Sequence, residues 1–338
     1  HSLAVRSDGT VWAWGDNGSG ALGDGTSLQR PRPVEVRGPG SVVAVSAGTH
    51  HSLAVRSDGS VWAWGGNSQG QLGEGTGLTR YVPVQVPGLS GVVAVSAGSA
   101  HSLALRSDGT VWAWGYNAYG QLGTGTSTQH LLPVQVPGLA GVVSIAAGTH
   151  HSLAVLSNGT VWAWGYNFYG QLGDGTKTSR ASPVQVPGLA GAVSAAAGTH
   201  HSLAVLSNGT VWAWGYNNYG QLGDGSTTQR LLPTLVSNSS GVAAVAANWH
   251  SLVVRTDGTV WGWGSNNASQ LGDGGTNDRR VPTPSAMPGG VKSISSGANH
   301  SLALRSDGTV WAWGFGHAGQ LGNGVPSARL VPAGVSGF

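Results

Sequence analysis

The chain has 338 residues, including 58 Gly and 15 Trp but no Cys, and its formal net charge is only +3. Without cysteine there is no disulfide framework, thiolate metal site or cysteine nucleophile. No Lys/Arg cluster exists to neutralise a nucleic-acid backbone, and no apolar run approaches the ~20 residues of a membrane span. The many tryptophans exclude a disordered chain. The first residue is His1 rather than Met, which indicates a processed product or a fragment.

A repeat of about 50 residues organises the whole chain. The segment HSLAVRSDGTVWAWG opens the sequence and recurs in variant form at intervals of 49 or 50 residues. Its seven copies begin at His1, His51, His101, His151, His201, His250 and His300. Such regular recurrence identifies a repeat architecture, and we expect residues 1–338 to form one domain.

Each repeat contains four predicted strands. In the first copy, an arm at Leu3–Arg6 is followed by the turn Ser7–Thr10, whose Asp-Gly pair supplies the positive φ angles of a tight hairpin. The second arm is Val11–Trp14. After a Gly-rich loop come a third strand at Pro33–Val36 and a fourth at Val42–Gly48. No stretch has the 3.6-residue apolar period of a helix.

Apolar residues on both faces of the arms favour a β-propeller. A sheet that is solvated on one face alternates apolar and polar residues, whereas a propeller blade stacks against two neighbours. Fourteen of the 15 Trp lie in the V-W-x-W motif of the arms, which indicates a core role. A β-solenoid is the competing repeat fold, but its coils are shorter and it does not close. We therefore predict an all-β, seven-bladed propeller of four-stranded antiparallel blades.

The repeat resembles that of a known family. The residues that carry the likeness are H-S-L-A-V-x-S-D-G-x-V-W-A-W-G-x-N-x-x-G-Q-L-G-x-G, then P-V-x-V, then V-V-x-V-x-A-G. This pattern is similar to the regulator of chromosome condensation repeat over the whole chain, and the resemblance implies a seven-bladed propeller. Members of that family act in nucleotide exchange on a small GTPase, chromatin docking, ultraviolet sensing and inhibition of β-lactamases. The fold therefore does not define the function.

Three of these family roles fit the sequence poorly. The exchange factor carries an inserted wedge hairpin, for which the regular spacing leaves no room. Chromatin docking requires basic tails or patches, which are lacking here. The plant photoreceptor is similar but uses clustered Trp and Arg, whereas the corresponding stretch Gly48–Ser52 has neither, and Trp249 is the only Trp at that edge. The inhibitors use loop aromatics, but their repeats are shorter, so their target is not carried over.

The 12 histidines of the chain are candidates for functional residues. Because one histidine recurs in every repeat, we expect a structural role in which its ring nitrogens bond backbone at the blade edge. Three further histidines precede the recurring one, at His50, His150 and His200, and are weak candidates for a metal or anion site. Since they come from repeats that are not all adjacent, the preferred prediction is no metal.

Acidic residues in the Gly-rich loops resemble calcium ligands only faintly. These residues are Asp24, Glu74, Asp174 and Asp224. They lack the run of oxygen ligands at alternate positions that calcium loops provide, so we expect a turn role. No Ser-His-Asp arrangement, carboxylate pair or phosphate-binding loop departs from the repeat pattern. We expect neither catalytic activity nor a cofactor.

Aromatic residues do break the repeat pattern. The loop after W-A-W-G reads DNGSG and GNSQG in repeats 1 and 2 but YNAYG, YNFYG and YNNYG in repeats 3, 4 and 5. The resulting candidates for protein binding are Tyr116, Tyr119, Tyr166, Phe168, Tyr169, Tyr216 and Tyr219. Adjacent blades would join these rings into one exposed patch, and such patches mark contacts with partners. Phe315 and His317 occupy the same loop in repeat 7.

One predicted strand is missing. The V-V-x-V-x-A-G strand occurs six times, and repeat 7 ends before it, at Phe338. Either neighbouring residues of a longer chain supply the strand, or another chain donates it by self-association or partner binding at this open seam.

The function predicted first is a scaffold that binds a protein through the aromatic loops, with no nucleic-acid partner. The alternative is a rigid module of a larger bacterial surface protein, and an extracellular or cell-surface bacterial location is favoured weakly.

Overall fold

The computed structural model describes residues 1–338 and contains 27 strands in seven antiparallel sheets, arranged as a closed ring of blades. Blade 1 holds β1 (Ser2–Val5), β2 (Val11–Gly15) and β3 (Arg30–Glu35), and blade 2 holds β4 (Val42–Ala47), β5 (His51–Arg56), β6 (Val61–Gly65) and β7 (Arg80–Gln85). Blade 3 holds β8 (Val92–Ala97), β9 (His101–Arg106), β10 (Val111–Gly115) and β11 (His130–Gln135), and blade 4 holds β12 (Val142–Ala147), β13 (His151–Leu156), β14 (Val161–Gly165) and β15 (Arg180–Gln185).

The remaining three blades follow the same plan. Blade 5 holds β16 (Ala192–Ala197), β17 (His201–Leu206), β18 (Val211–Gly215) and β19 (Arg230–Leu235). Blade 6 holds β20 (Val242–Ala247), β21 (His250–Arg255), β22 (Val260–Gly264) and β23 (Arg279–Pro284). Blade 7 holds β24 (Val291–Ser296), β25 (His300–Arg305), β26 (Val310–Gly314) and β27 (Arg329–Gly334). The predicted seven-bladed all-β propeller is confirmed, and no helix is long and apolar enough to cross a membrane.

Blades and sequence repeats are offset by one strand. The last strand of each repeat pairs with the first arm of the next repeat, as β4 does with β5 through Ala44 opposite Val55 and Ala47 opposite Ser52. Strands of the β4 type are the innermost ones and line the central channel. The missing strand is confirmed: blade 1 has three strands and lacks the innermost one. The histidines His50, His150 and His200 therefore belong to blades 2, 4 and 5.

The hairpin turns use glycine alone for positive φ. Gly9 has a φ of 79°, whereas Asp8 is not among the three non-glycine residues with positive φ, so the expectation for the Asp-Gly pair was half wrong. The Gly9 amide donates to Arg6 O, which makes a turn followed by a glycine in the left-handed region. Asp8 serves differently, since its Oδ1 accepts hydrogen bonds from the amide and hydroxyl of Thr10.

Each second tryptophan of V-W-x-W joins two blades. Trp14, Trp64, Trp114, Trp164, Trp214, Trp263 and Trp313 are completely buried. The Trp114 indole N–H in blade 3 donates to Gln71 O in blade 2 at 2.8 Å, and its ring packs against the blade 2 core around Leu53 and Val61. The same bond recurs around the ring and crosses from blade 1 to blade 7 as Trp14 Nε1 to Gln320 O at 2.9 Å. The core role predicted for these residues is what the structure shows.

The recurring histidines also join blades, but not through backbone as expected. Each Nε2 bonds the hydroxyl of a serine in the next blade: His1 to Ser52, His51 to Ser102, His101 to Ser152, His151 to Ser202, His201 to Ser251, His250 to Ser301 and His300 to Ser2, at 2.8–3.1 Å. The Ser102 hydroxyl in turn donates to Gln71 O, which also accepts from Trp114. We call this ring of bonds the His–Ser relay.

The relay and burial together define the protonation state of these histidines. Because the serine hydroxyl gives its proton to a carbonyl oxygen, it accepts from Nε2–H, and burial leaves the lone pair of the neutral imidazole on Nδ1. Burial, helped by neighbouring histidines, lowers the pKa of His51 and of His101 to about 3. The ring of His51 lies against Gly48, where an added Cβ would stand 2.5 Å from its Cε1. The glycine after the innermost strand is therefore required by this close approach.

Antiparallel connections place two kinds of loop at opposite ends of the channel. The Ser-Asp-Gly turns and the segments that lead to the next blade lie at one end, which we call the turn face. The loops that follow the first and third strands of a blade lie at the other end, which we call the loop face. The Tyr-containing loops and the Gly-Thr-His loops thus share the loop face, around the mouth of the channel.

Candidate protein-binding site

The aromatic loops have a rigid backbone. In blade 3, the buried Asn117 accepts the Leu122 amide on its Oδ1 and donates from Nδ2 to the carbonyl oxygens of Thr126 and Thr128. The Gln121 side chain accepts the Tyr119 amide at 3.0 Å. Equivalent bonds recur at Asn17, Asn67, Asn167, Asn217 and Asn266. Because the Asn and Gln side chains hold the backbone of the loop, the side chains at the Tyr positions can vary without changing its path.

Acidic residues of these loops act as turn supports, as expected. Asp174 accepts from the Thr176 amide and hydroxyl through Oδ1, and it pairs with Arg180 at 2.9 Å through Oδ2. Burial works to raise the pKa of Asp174, but the hydrogen bonds from Thr176 and Arg180 outweigh it and leave the pKa below its usual value. These carboxylates are therefore occupied within the loop.

The tyrosines of blades 3, 4 and 5 form one continuous run of rings. Ring centroids are separated by 6.2 Å for Tyr116–Tyr119, 4.8 Å for Tyr119–Tyr166, 6.3 Å for Tyr166–Tyr169, 4.9 Å for Tyr169–Tyr216 and 6.0 Å for Tyr216–Tyr219. The shortest distances are those between blades, and most pairs are tilted or perpendicular, as aromatic pairs prefer. The structure thus brings together all of the tyrosines predicted for the site.

Three residues that the sequence did not assign to this site belong to it. His150 lies 5.3 Å from the Tyr119 ring, and His200 lies 4.9 Å from the Tyr169 ring. Trp249 extends the run into blade 6, at 5.6 Å from His200 and 6.1 Å from Tyr219. We define the aromatic patch as Tyr116, Tyr119, His150, Tyr166, Phe168, Tyr169, His200, Tyr216, Tyr219 and Trp249. The departure of Trp249 from the repeat pattern was the signal that could have revealed it.

The aromatic patch is uncharged at neutral pH and partly open to solvent. Burial, with a smaller contribution from His150, lowers the pKa of His200 to about 4. Burial also raises the pKa of Tyr166, which keeps its hydroxyl protonated. Phe168 is 58% exposed and projects near the middle of the patch, while Tyr119 and Tyr219 are 39% and 38% exposed. The surface therefore offers apolar ring area together with neutral hydrogen-bonding groups.

No metal centre is assembled on this face. The chain contains no group of three His, Cys, Asp or Glu side chains that could hold a metal ion. His150 and His200 lie between aromatic rings, and His50 lies in blade 2. Phe315 and His317 pair with each other at 5.0 Å in blade 7 and make no ring contact with the aromatic patch.

Two cavities adjoin the aromatic patch. The central channel encloses about 720 Å³ and is lined by small residues such as Ser46, Gly98 and Thr149, with Trp249 and Phe315 at its mouth. A smaller pocket of about 140 Å³ lies between Tyr219, Trp249, Ser265, Asn267 and Asn299. Both cavities open beside Trp249, so the surface of the patch is more concave at its blade 6 end than elsewhere.

The fold and the repeated inter-blade bonds define a propeller built from Trp- and His-containing repeats. This chain belongs to the RCC1 family. The RCC1-like domain matches residues 1–207, and the regulator of chromosome condensation (RCC1) repeat matches residues 208–254, 257–304 and 307–338. The resemblance found in the sequence is thereby confirmed.

Solved structures with the same fold include yeast RCC1 (Prp20) bound to Kap60, with a TM-score of 0.88 and 24% identity over 100% of this chain and 86% of that one. A second structure of Prp20p from Saccharomyces cerevisiae, described with its binding to Gsp1p and histones, gives 0.87 and 24% over 99% and 88%. Human WBSCR16 gives 0.87 and 26% over 98% and 94%. Curated protein sequences give no significant match.

Proposed function

We propose that this protein is a protein-binding scaffold and that the aromatic patch is its contact surface. The observation that carries the proposal is the continuity of the patch across blades 3 to 6, in a ring whose other features repeat almost unchanged. Function requires a feature that distinguishes one part of a repetitive scaffold from the rest. The patch joins rings from four blades, whereas Phe315 and His317, which also depart from the repeat, contact only each other.

The physical properties of the patch suit protein recognition. Tyrosine and tryptophan supply large contact areas with few rotatable bonds, and they are enriched among the residues that dominate binding energy. The Asn117 and Gln121 bonds hold the loop before any partner arrives, which reduces the entropy lost on binding. Phe168 offers an exposed apolar ring, while the surrounding hydroxyls can satisfy polar groups of the partner.

The relatives support the class of function but not a particular partner. Yeast RCC1 has been solved bound to Kap60, and the Saccharomyces cerevisiae protein is described with Gsp1p and histones. At 24% identity these structures establish the fold and do not identify the partner of this chain. The polar residues shared by all seven blades are occupied in the scaffold, which supports binding rather than catalysis. A rigid module of a larger assembly is the alternative, favoured by the uniform His–Ser relay.

Repeat 2 shows which substitution the loops of the later repeats should tolerate without loss of folding. Repeat 2 has Gln69 where the later repeats have Tyr119, Tyr169 and Tyr219. The triple variant Tyr119→Gln, Tyr169→Gln, Tyr219→Gln should therefore fold, since the loop bonds are kept. We expect it to lose at least about tenfold in partner capture, because hot-spot residues contribute roughly 1.4 kcal/mol or more each. The measurement is quantitative pull-down followed by cross-linking mass spectrometry to locate the contact.

A matched control lies on the turn face. Val93, Val143 and Val193 are exposed at the start of the innermost strands, and blade 7 has Lys292 at the same position. Replacing these three valines with Lys should leave partner capture unchanged. If both triple variants capture the partner as well as the unaltered chain does, the aromatic patch is not the contact surface and the structural-module alternative is favoured.

A further inference from the structure

The smaller pocket beside Trp249 lies where the run of tyrosine rings is interrupted. The loops of blades 3, 4 and 5 begin with a tyrosine, at Tyr116, Tyr166 and Tyr216. The blade 6 loop has Ser265 at the same position, and this serine is only 6% exposed and lines the pocket. Its small side chain therefore leaves open the space that a tyrosine ring fills in the three preceding blades. We call this space the ring pocket.

The neighbours of Tyr166 show what surrounds a ring in this position. The centroid of Tyr166 lies 4.8 Å from Tyr119, 6.3 Å from His150, 6.4 Å from Phe168 and 6.2 Å from His200. The first neighbour belongs to the preceding blade, the next two belong to the same blade, and the last belongs to the following blade. A tyrosine in this position is thus surrounded by side chains from three consecutive blades.

The four equivalent side chains, one repeat or two repeats further along the chain, line the ring pocket. They are, in the same order, Tyr219, Trp249, Asn267 and Asn299. The first two are aromatic, and their centroids lie 6.1 Å apart with the rings nearly perpendicular. The ring pocket therefore has the surroundings of Tyr166 without the ring itself.

The size of the ring pocket agrees with a missing ring. Its volume is about 140 Å³, and a cavity of about 150 Å³ accommodates a benzene molecule. Blade 2 also lacks a ring at this position, since it has Gly66, but a Cβ added there would lie 3.3 Å from the Cβ of His50 and 3.5 Å from that of Ser19. An empty ring position with a tyrosine and a tryptophan beside it is thus found in blade 6 and not in blade 2.

The polar groups of the ring pocket are neutral. The Ser265 hydroxyl accepts a hydrogen bond from Gln270 Nε2 at 3.2 Å, so its own proton can be donated to a ligand. Asn267 and Asn299 are exposed and carry amides that can both donate and accept. No Lys, Arg, Asp or Glu side chain lines the pocket. These groups suit an uncharged ring with a hydroxyl, and they offer no counter-charge to a phosphate or a guanidinium.

We propose that the ring pocket binds the side chain of a tyrosine on the protein partner, whose ring completes the interrupted run. This inference rests on the proposed function, because Tyr219 and Trp249 belong both to the aromatic patch and to the pocket. A tyrosine fits because the chain itself places tyrosine at the same position in three blades, and the neutral polar groups can bond its hydroxyl. An aromatic side chain buried in a pocket of a contact surface is the type of residue that dominates binding energy.

A small probe tests the ring pocket without the partner. N-acetyl-tyrosinamide should bind one to one, with saturation in the millimolar range, and shift the NMR signals of the Trp249 indole and the Tyr219 ring. N-acetyl-phenylalaninamide should bind roughly threefold to tenfold more weakly, because it lacks the hydroxyl. N-acetyl-leucinamide and methyl glucoside should show no saturable binding. No binding by the tyrosine probe, equal binding by the leucine probe, or binding by the glucoside instead would each overturn the proposal.

Two matched variants show where the probe binds. Ser265→Tyr restores the ring that Tyr166 supplies in blade 4, so it should fold and abolish binding of N-acetyl-tyrosinamide. Gly66→Tyr places the same ring at the equivalent position of blade 2, outside the pocket, and should leave binding unchanged. Urea unfolding of both variants checks that they are folded. Unchanged probe binding by Ser265→Tyr would place the probe elsewhere and contradict the assignment.

Partner capture separates this inference from the proposed function. Ser265→Tyr should reduce capture at least about tenfold because it excludes the tyrosine of the partner, whereas Gly66→Tyr should not. The double variant Tyr119→Gln, Tyr169→Gln alters the aromatic patch without changing the side chains that line the ring pocket. If the double variant reduces capture and Ser265→Tyr does not, the patch remains the contact surface but no partner tyrosine occupies the pocket. If neither reduces capture, the contact surface itself is wrong, and the inference fails with it.

Discussion

The interior of the ring and the loop face of blades 3 to 6 use the same side-chain types in opposite ways. In the interior, one histidine and one tryptophan recur in every blade and make the same bonds seven times, as the completely buried His151 does with Ser202. On the loop face, histidine, tyrosine and tryptophan occur in only some blades, remain partly exposed and make mostly ring–ring contacts, as His200 does with Tyr169. Repetition with burial marks the scaffold, and variation with exposure marks the candidate site.

The interior and the loop face can be altered independently because different side chains stabilise each of them. The blades are joined by bonds to the carbonyl oxygens of residues such as Gln71 and Gln121. The aromatic rings project from loops whose backbone is held by the Asn117-type amides. A change at a tyrosine should therefore leave the joints between blades intact, whereas a change at a joint should affect the whole ring.

Acid provides the largest expected effect, and it acts on the interior. Burial lowers the pKa of His51, His101, His201, His250 and His300 to about 3, and that of His151 well below its usual value. At pH values below about 6.5, the pKa of histidine in the unfolded chain, the unfolded chain binds protons that the folded chain excludes. The free energy of unfolding therefore decreases as the pH is lowered. Each of these histidines should reduce the free energy of unfolding by about 1.4 kcal/mol per pH unit between about pH 6 and 4. Urea unfolding at pH 7, 6 and 5 measures this slope.

An exposed histidine outside the relay provides the control for this acid effect. His317 is exposed in a blade 7 loop and lies outside the relay, so the variant His317→Ala is unfolded in the same way for comparison. A free energy of unfolding that stays constant from pH 7 to pH 5 would show that the relay histidines are not held neutral.

Loss of a single contact between two blades should have the next largest effect on stability. Trp164→Ala removes a completely buried ring and the donor to Gln121 O, and it should cost about 3–5 kcal/mol in the free energy of unfolding. Trp162 belongs to the same strand but is half-buried and bonds only Thr160 in its own hairpin, so Trp162→Ala should cost clearly less. Chemical denaturation of both variants makes the comparison. Equal losses would mean that the inter-blade joints do not dominate stability.

The repeated interior was easier to predict from the sequence than the variable loop face. Seven regular copies, strands with two apolar faces and Asp-Gly turns are local signals, and they were sufficient for the propeller and for the missing strand. The partner of each relay histidine was not predictable in this way, because Ser102 lies in the next blade and 51 residues from His51. The sequence also could not show that β4 pairs with the following repeat, since either neighbouring arm satisfies the same pattern.

The candidate site was predictable only in part for a similar reason. The tyrosines share one loop position, so their proximity follows from the repeat. His150, His200 and Trp249 come from a different loop, after the innermost strand, and enter the patch only because antiparallel connections bring both loops to one face. As a set of histidines, His50, His150 and His200 were only weak candidates for a metal or anion site, and the neighbours of His150 and His200 in space are aromatic rings.

The smallest expected effect tests whether the patch is a local unit. Tyr169→Gln removes a ring that lies 4.9 Å from both His200 and Tyr216, and it should cost about 1 kcal/mol or less in stability. Because burial is the main reason that the pKa of His200 is about 4, opening its surroundings should move that pKa upward. An NMR titration of the His200 ring measures the change. The pKa of His201, in the relay, should stay where it is.

The neighbouring tyrosine supplies the matched control for this local effect. Tyr119 makes the same kind of contact with His150, at 5.3 Å, and does not touch His200. Tyr119→Gln should therefore leave the His200 titration unchanged while it exposes His150. If instead either substitution shifts both histidines, or if Tyr169→Gln shifts neither, the rings do not act as separate local contacts. A shift confined to the nearest histidine would mean that each blade contributes its own part of the surface, so that a partner could be accommodated by changing one loop at a time.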